Sequence, residues 1–236
     1  MGLRATTYLG DNTVTILDDL VERLRADGFD ITVDRTAGRS SPDARQHARD
    51  VDLVWMCGSL AAVLLDDGTL DHDIVAAPVF PGEADPVYRS VLVVRDDGPM
   101  IINQALDGCV GINETDSWSG HHGLRSFLAH EGIERWFAQE SVTGSHRASI
   151  DAVASHACDV VAVDQTIWRS VVAAEPHAVA GLRVLTTTHD WPAPPFLLSP
   201  AAPSEIAERL TELQPIGLDR IVAADATRYR TLLPAQ

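Results

Sequence analysis

The sequence contains no lysine: all 18 of its cationic side chains are arginines. That absence removes the phosphate-gripping lysine of a P-loop, Schiff-base chemistry and pyridoxal-phosphate catalysis together. Positive charge is scarce as well. Asp and Glu number 34 against the 18 arginines, leaving a net charge of −16 over 236 residues. A field of that sign repels nucleic acid and anionic membrane surfaces, so neither is expected as a partner. Long hydrophobic runs are missing; the longest, residues 60–65, is far too short to cross a bilayer. The three cysteines, Cys57, Cys109 and Cys158, lie far apart and form no CxxC pair, so no zinc ribbon or redox motif is expected. Their odd number argues against a disulfide framework and fits a reducing compartment or isolated buried thiols. Residues 1–9 lack a basic region followed by an apolar segment and read as a first strand. The chain is therefore expected to be cytoplasmic if Met1 is its true start, and periplasmic or otherwise extracytoplasmic if a leader has been removed.

What the sequence does have is apolar material, 45% of its residues, enough for a sizeable core. Short apolar strands alternate with helical patterns, which predicts an α/β fold with mostly parallel sheets. A helix is expected over 14–26, where Leu17, Leu20, Val21 and Leu24 recur at helical spacing and Gly28 stops the run. Strands follow at 29–33 and 51–56, separated by a polar stretch with Gly38, Ser40, Ser41 and Pro42. A buried helix at 59–65 precedes a strand at 74–80 that Pro78 should break. Residues 81–86, with two prolines, a glycine and two acids, mark a first crossing between lobes. Beyond it, 88–94 reads as one long strand, and further strands are expected at 109–112, 141–143, 160–163 and 182–187. Residues 191–195 form the second crossing, and Ile206, Leu210 and Leu213 line a returning helix. One lobe is thus expected from 1–85 and 196–236, the other from the inserted 86–195. Two crossings between two α/β lobes are the layout of a hinged protein that closes on a ligand in its cleft.

Three segments carry chemistry. Ser117-Trp118-Ser119-Gly120 sits between a strand and a helix. Its hydroxyls, and the first N–H groups of the helix, suit an anion without help from lysine; an ordinary serine cap with a packed Trp118 is the plain alternative. Gly144-Ser145-His146 opens a second helix, with His146 in the first turn and able to donate to an anion. A third strand ends at Asp164, where α/β folds expose ligand groups; that carboxylate equally suits a helix cap.

In this order and spacing the segments resemble the phosphonate, phosphite and phosphate-binding family of ABC-transporter solute-binding proteins. The resemblance rests on Ser117-Trp118-Ser119-Gly120, on Gly144-Ser145-His146 with Ala152-Val153 downstream, on Asp159 to Asp164, and on the entry strand from Tyr88 to Arg95. It implies a two-lobed periplasmic-binding-protein fold of the second type, and reversible binding of a small, anionic ligand without chemistry or cofactor. The partner it implies is a transporter permease if the chain is exported; otherwise the chain acts as a cytoplasmic sensor or carrier. Ser117, Trp118, Ser119, Gly120 and His146 are the implied ligand contacts, followed by Tyr8, Ser59, Tyr88 and Asp164. Departures are visible at Trp118, where the family usually has a small residue, at His121 and His122, and in the thiol-bearing loop around Cys57. The bulk of Trp118 leaves room for an organic ligand with an apolar or planar body. Proteins of this fold also include cytoplasmic biosynthetic lyases and synthases. For that alternative Cys57, His121 and His146 are the catalytic candidates. A metal cluster of His121, His122 and His146 is disfavoured, because neighbouring histidines at a helix start rarely face one point.

Overall fold

The computed structural model describes residues 2–10, 12–36 and 44–232, so the polar stretch at 38–42 lies outside the described residues. Contacts divide the chain into two units, Met1–Val87 with Pro192–Gln236, and Tyr88–Trp191.

The first unit opens with β1 (Leu3–Thr7), α1 (Asn12–Ala26), β2 (Ile31–Val33), α2 (Ala44–Arg49), β3 (Leu53–Trp55), α3 (Gly58–Asp66) and β4 (Asp73–Val79). The helical spacing at the start of the chain is realised: Leu17, Leu20, Val21 and Leu24 of α1 are all buried. Gly28 ends the helix with φ +98, a left-handed conformation that glycine adopts without strain. β5 (Val87–Tyr88) leads out of this unit.

The second unit runs through β6 (Ser90–Arg95), α4 (Ile102–Ala105), β7 (Cys109–Ile112), a π-helical turn at Trp118–His122, α5 (Gly123–His130), β8 (Gln139–Val142), α6 (His146–Ala154), β9 (Val160–Asp164), α7 (Gln165–Ala174) and β10 (Leu182–Thr187). Through β11 (Trp191–Pro192) the chain returns to the first unit, adding β12 (Phe196–Leu198), α8 (Glu205–Glu212), β13 (Arg220–Ala223) and a closing 3-10 stretch, Ala226–Leu232.

The first sheet has strand order β13-β4-β12-β3-β1-β2, the second β10-β6-β9-β7-β8. Both are mixed, which corrects the expectation of mostly parallel sheets. β1 pairs in parallel with β2 and β3, and β7 with β8 and β9. β12 runs antiparallel to β3 and β4, and β6 antiparallel to β9 and β10. The antiparallel members include the strands that follow a crossing. Each is inserted between strands that belong to local β-α-β runs, and so enters in the opposite sense.

Two strand boundaries also differ from expectation. Pro78 does not break β4, because β12 ends opposite Ala76 and leaves Pro78 with a partner strand on one side only, Ile221 of β13. The long strand at 88–94 is instead interrupted at Arg89, giving β5 and β6. β6 itself is apolar on both faces. Leu92 and Val94 pack into one core with Leu124, Phe127 and Leu128 of α5, while Val91 and Val93 pack into another with Ile150 and Val153 of α6. A strand covered by helices on both sides reads as a continuous hydrophobic run, not an alternating one. This sandwich holds the carboxyl ends of β7 and β9, and the loops that spring from them, in fixed positions.

Candidate functional site

β7 ends at Ile112, and the chain turns through Asn113 into the serine-rich segment. Ser117 caps the next turn: its Oγ accepts from the Gly120 N–H at 3.2 Å, and its carbonyl accepts from the His122 N–H at 3.0 Å. That second bond spans five residues, so Trp118–His122 is a π-helical turn feeding α5. Such turns recur at functional sites because they push one residue out of the regular ladder. A reason for the widening is visible at Gly120, where an added Cβ would lie 1.7 Å from the Asn113 Oδ1. Only glycine lets the turn settle on the Asn113 side chain, which is itself buried. The peptide of Ser119 is pinned from another direction, its carbonyl accepting from the Ser90 Oγ at 2.6 Å.

A second helix start meets this turn. Gly144 has φ +89, and its N–H donates to the Asn113 carbonyl at 2.8 Å. Ser145 then caps α6, accepting from the Ala148 N–H at 3.0 Å, and His146 stands at the first helical position. The structure brings Ser119 and His146 together, with Oγ and Nε2 2.9 Å apart. Two helix N-termini thus converge through side chains 27 residues apart in sequence. Each start offers N–H groups with no partner inside its helix and the positive end of a dipole, the arrangement that holds anions without a formal positive charge.

Asp164 ends β9 opposite Ser90 and caps α7, its Oδ1 accepting from the Thr166 N–H and Oγ1, each at 2.7 Å. Burial pushes its carboxyl above the usual range, and the Thr166 hydrogen bonds oppose that rise. Trp118 is buried and packs edge-on to Trp191 at 5.1 Å. Neither indole N–H finds an acceptor among the described residues. His121 is fully engaged elsewhere: its Nδ1 donates to the Thr115 carbonyl at 2.7 Å, and its Nε2 accepts from the Arg125 Nε at 2.9 Å. Arg125 in turn lies over the Trp136 ring at 4.0 Å. His121 therefore braces the start of α5. Burial, followed by the neighbouring His121, holds the His122 imidazole below its ordinary value. Among the described residues no group of three His, Cys, Asp or Glu side chains is placed to hold a metal ion.

The remaining candidates lie on other elements. Tyr88 is buried on β5. In the first unit, Cys57 and Ser59 are buried at the start of α3 with Sγ and Oγ 3.3 Å apart. Tyr8 is buried too, and its hydroxyl is paired with the His47 Nδ1 at 2.5 Å. His47 Nε2 continues the chain to Asp34 Oδ2 at 3.2 Å, and Arg4 Nη1 reaches the same oxygen at 3.2 Å. Partial burial disfavours the Asp34 charge, but hydrogen bonds from Thr36 and then His47 outweigh it and hold the carboxyl down to about 2, against the usual 3.8.

This depression has a measurable consequence. A carboxyl more acidic in the folded than in the unfolded state stabilises above its unfolded value, and that contribution disappears as pH falls through the folded value. Asp34→Asn is expected to cost about 1–2 kcal/mol at neutral pH, allowing for solvent screening, and progressively less from about pH 4 to about pH 2. Urea unfolding of both proteins across that range checks it; a pH-independent gap would remove the Asp34 network from the account.

Asn113, Ser90, Thr188 and Trp191 support the site without having been singled out by sequence. Ser90 left a trace, as a polar residue at the head of an apolar strand; its N–H donates to the Thr188 Oγ1 at 2.9 Å. Asn113 and Trp191 left none, because their roles depend on contacts made across the fold.

The model of the family described as ABC transporter, phosphonate, periplasmic substrate-binding protein matches residues 7–214. No curated protein matches the chain. Among solved structures, the binding-protein component of an ABC phosphonate transporter from Pseudomonas aeruginosa aligns with a TM-score of 0.76 at 17% identity, covering 98% of this chain and 84% of that one. PhnD1 from Prochlorococcus marinus, solved in complex with methylphosphonate, aligns with a TM-score of 0.79 at 17% identity, covering 98% and 95%. XAC2383 from Xanthomonas citri, solved bound to ATP, aligns at 0.66 with 20% identity, covering 98% and 94%. At these identities the likeness establishes a shared periplasmic-binding-protein fold.

Proposed function

Because the chain belongs to the family of periplasmic phosphonate substrate-binding proteins of ABC transporters, we propose that it reversibly binds an organic oxyanion, phosphonate-like or carboxylate, at the convergence of the π-turn and α6. The observation that carries this reading is the 2.9 Å pairing of Ser119 with His146 where two helices begin. Ser117, Ser119 and His146 supply hydroxyl and imidazole donors, and the helix starts supply backbone N–H groups. The family pairs such a protein with a small-molecule ligand and a transporter permease. We place this chain accordingly outside the cytoplasm, delivering its ligand to a permease, and not acting as a cytoplasmic sensor or carrier.

Trp118 and Trp191 support an organic ligand over a bare oxyanion. Buried N–H groups without acceptors are uncommon in folded proteins, and here two of them lie in one aromatic pair beside the serine turn. Asp164, with its carboxyl held above the usual range, suits a ligand that carries an amine or a proton of its own.

Calorimetric titration with phosphate, methylphosphonate and phenylphosphonate tests the reading. The expected order is phenylphosphonate tightest and phosphate weakest, with every ligand recovered chemically unchanged after prolonged incubation. Preference for phosphate would remove the aromatic contribution, and a transformed ligand would replace binding by catalysis.

A further inference from the structure

Cys109 and Cys158 are not the isolated thiols that their spacing implies. They stand 49 residues apart in sequence, yet their sulfurs lie 3.9 Å apart. Parallel pairing sets Val110 of β7 against Val160 of β9, so Cys158 enters β9 diagonally beside Cys109. The backbone around the pair is fixed on both strands. The Cys109 N–H donates to the Asp159 Oδ2 at 2.8 Å, and the Asp159 N–H donates to the Cys109 carbonyl at 2.9 Å. Arg95 Nη1 donates to the Cys158 carbonyl at 2.9 Å. Room for the sulfurs comes from Gly111, on the same strand face as Cys109, where an added Cβ would lie 3.0 Å from the Cys158 sulfur. Cys158 is buried and Cys109 half-buried, so one thiol of the pair is open to a reagent and the other waits behind it.

We propose that Cys109 and Cys158 form an oxidisable pair that closes into an intramolecular disulfide stapling β7 to β9. The oxidant class is a disulfide. The Cys109 thiolate attacks one sulfur of that disulfide, forming a mixed disulfide and expelling one thiolate. The Cys158 thiolate then attacks the Cys109 sulfur and expels the second. Two protons and two electrons leave the pair, and the reagent disulfide becomes two thiols. An S–S bond of about 2 Å requires the sulfurs to approach by about 2 Å, a change that side-chain rotation supplies while the pinned backbone stays in place. The oxidising compartments of secreted proteins maintain such bonds.

The loop so closed contains Ser117, Ser119 and His146, so the staple fixes the two strands between which these three residues lie. Burial, followed by the neighbouring Cys109, pushes the Cys158 thiol up to about 11. Closure is therefore slow near neutral pH and accelerates as pH rises toward that value, because the thiolate is the attacking form. Cys57 lies in the first unit against Ser59, and remains a free thiol when the bond forms.

The test is incubation of the dilute, purified full chain with oxidised glutathione at about pH 7 and about pH 9, followed by acid quenching, alkylation and peptide mass mapping. The expected product is a linked Cys109–Cys158 peptide, about 2 Da lighter than the dithiol, with Cys57 alone alkylated. Subsequent reduction should lower Tm by several degrees, on the order of 5–10 °C for a loop of this length. Cys57→Ser should keep both effects. Cys109→Ser, at the half-buried position where serine is tolerated, should lose both. Three alkylatable thiols after oxidation at the higher pH, a glutathione adduct that persists on Cys109, or links formed only between molecules would each overturn the proposal.

Discussion

Replacing Ser117 and Ser119 together with alanine is expected to weaken methylphosphonate binding about 100-fold. In the proposed site each hydroxyl would contribute a hydrogen bond to a charged acceptor, worth on the order of 1.5 kcal/mol at the low end of the range for such bonds. Two of them make about 3 kcal/mol, or two decades of affinity. The folded state loses less. Ser117 caps the π-turn through Gly120, and removing a serine cap costs about 1 kcal/mol. Affinity should therefore fall far more than thermal stability, and that difference separates a ligand contact from a structural one. His146→Ala should weaken binding in the same direction, while His146→Gln, which keeps a donor, should retain most of it. Calorimetry on the three variants, with Tm measured in parallel, decides the matter. Parallel losses of Tm and affinity would reduce the serines to packing.

Gly120→Ala should have the other large effect. The new methyl group would sit 1.7 Å from the Asn113 Oδ1 and 2.7 Å from its Cγ, inside a buried environment with little room to give. Overpacking of this kind costs about 1–3 kcal/mol, and the π-turn must shift to relieve it. Because Ser119 and Ser117 ride on that turn, binding should drop more than 100-fold. The Asn113 Oδ1 has no hydrogen-bond partner among the described residues, so deleting it sacrifices no bond. Asn113→Ala combined with Gly120→Ala should accordingly recover most of the stability lost in Gly120→Ala alone. If the double variant is no more stable than the single one, the steric explanation fails.

Much of the fold was legible because its cues are local. Helical spacing at Leu17, Leu20, Val21 and Leu24 identified α1, and short apolar runs identified β6, β7 and β9. Of the residues that the motif order grouped, Ser119 and His146 share a direct hydrogen bond. Strand direction was not legible, since a run of valines looks the same in a parallel and an antiparallel pair. The short strands β12 and β13 escaped for a related reason: three or four residues carry no usable period. Asn113 illustrates the limit at the site. Its importance lies in the space it takes beside Gly120, and no pattern along the chain encodes a contact of that kind. The cysteines show the same limit, because 49 residues separate two sulfurs that the strand register makes neighbours.

The central claim is that an oxyanion sits where the π-turn and α6 begin. Backbone amide NMR on labelled protein, titrated with methylphosphonate and phenylphosphonate, tests it most directly. The N–H groups that would face the ligand belong to Ser119, His146 and Arg147, and these should shift furthest and saturate together at one ligand per chain. Saturable binding that leaves those three resonances in place, and moves others instead, would contradict the account.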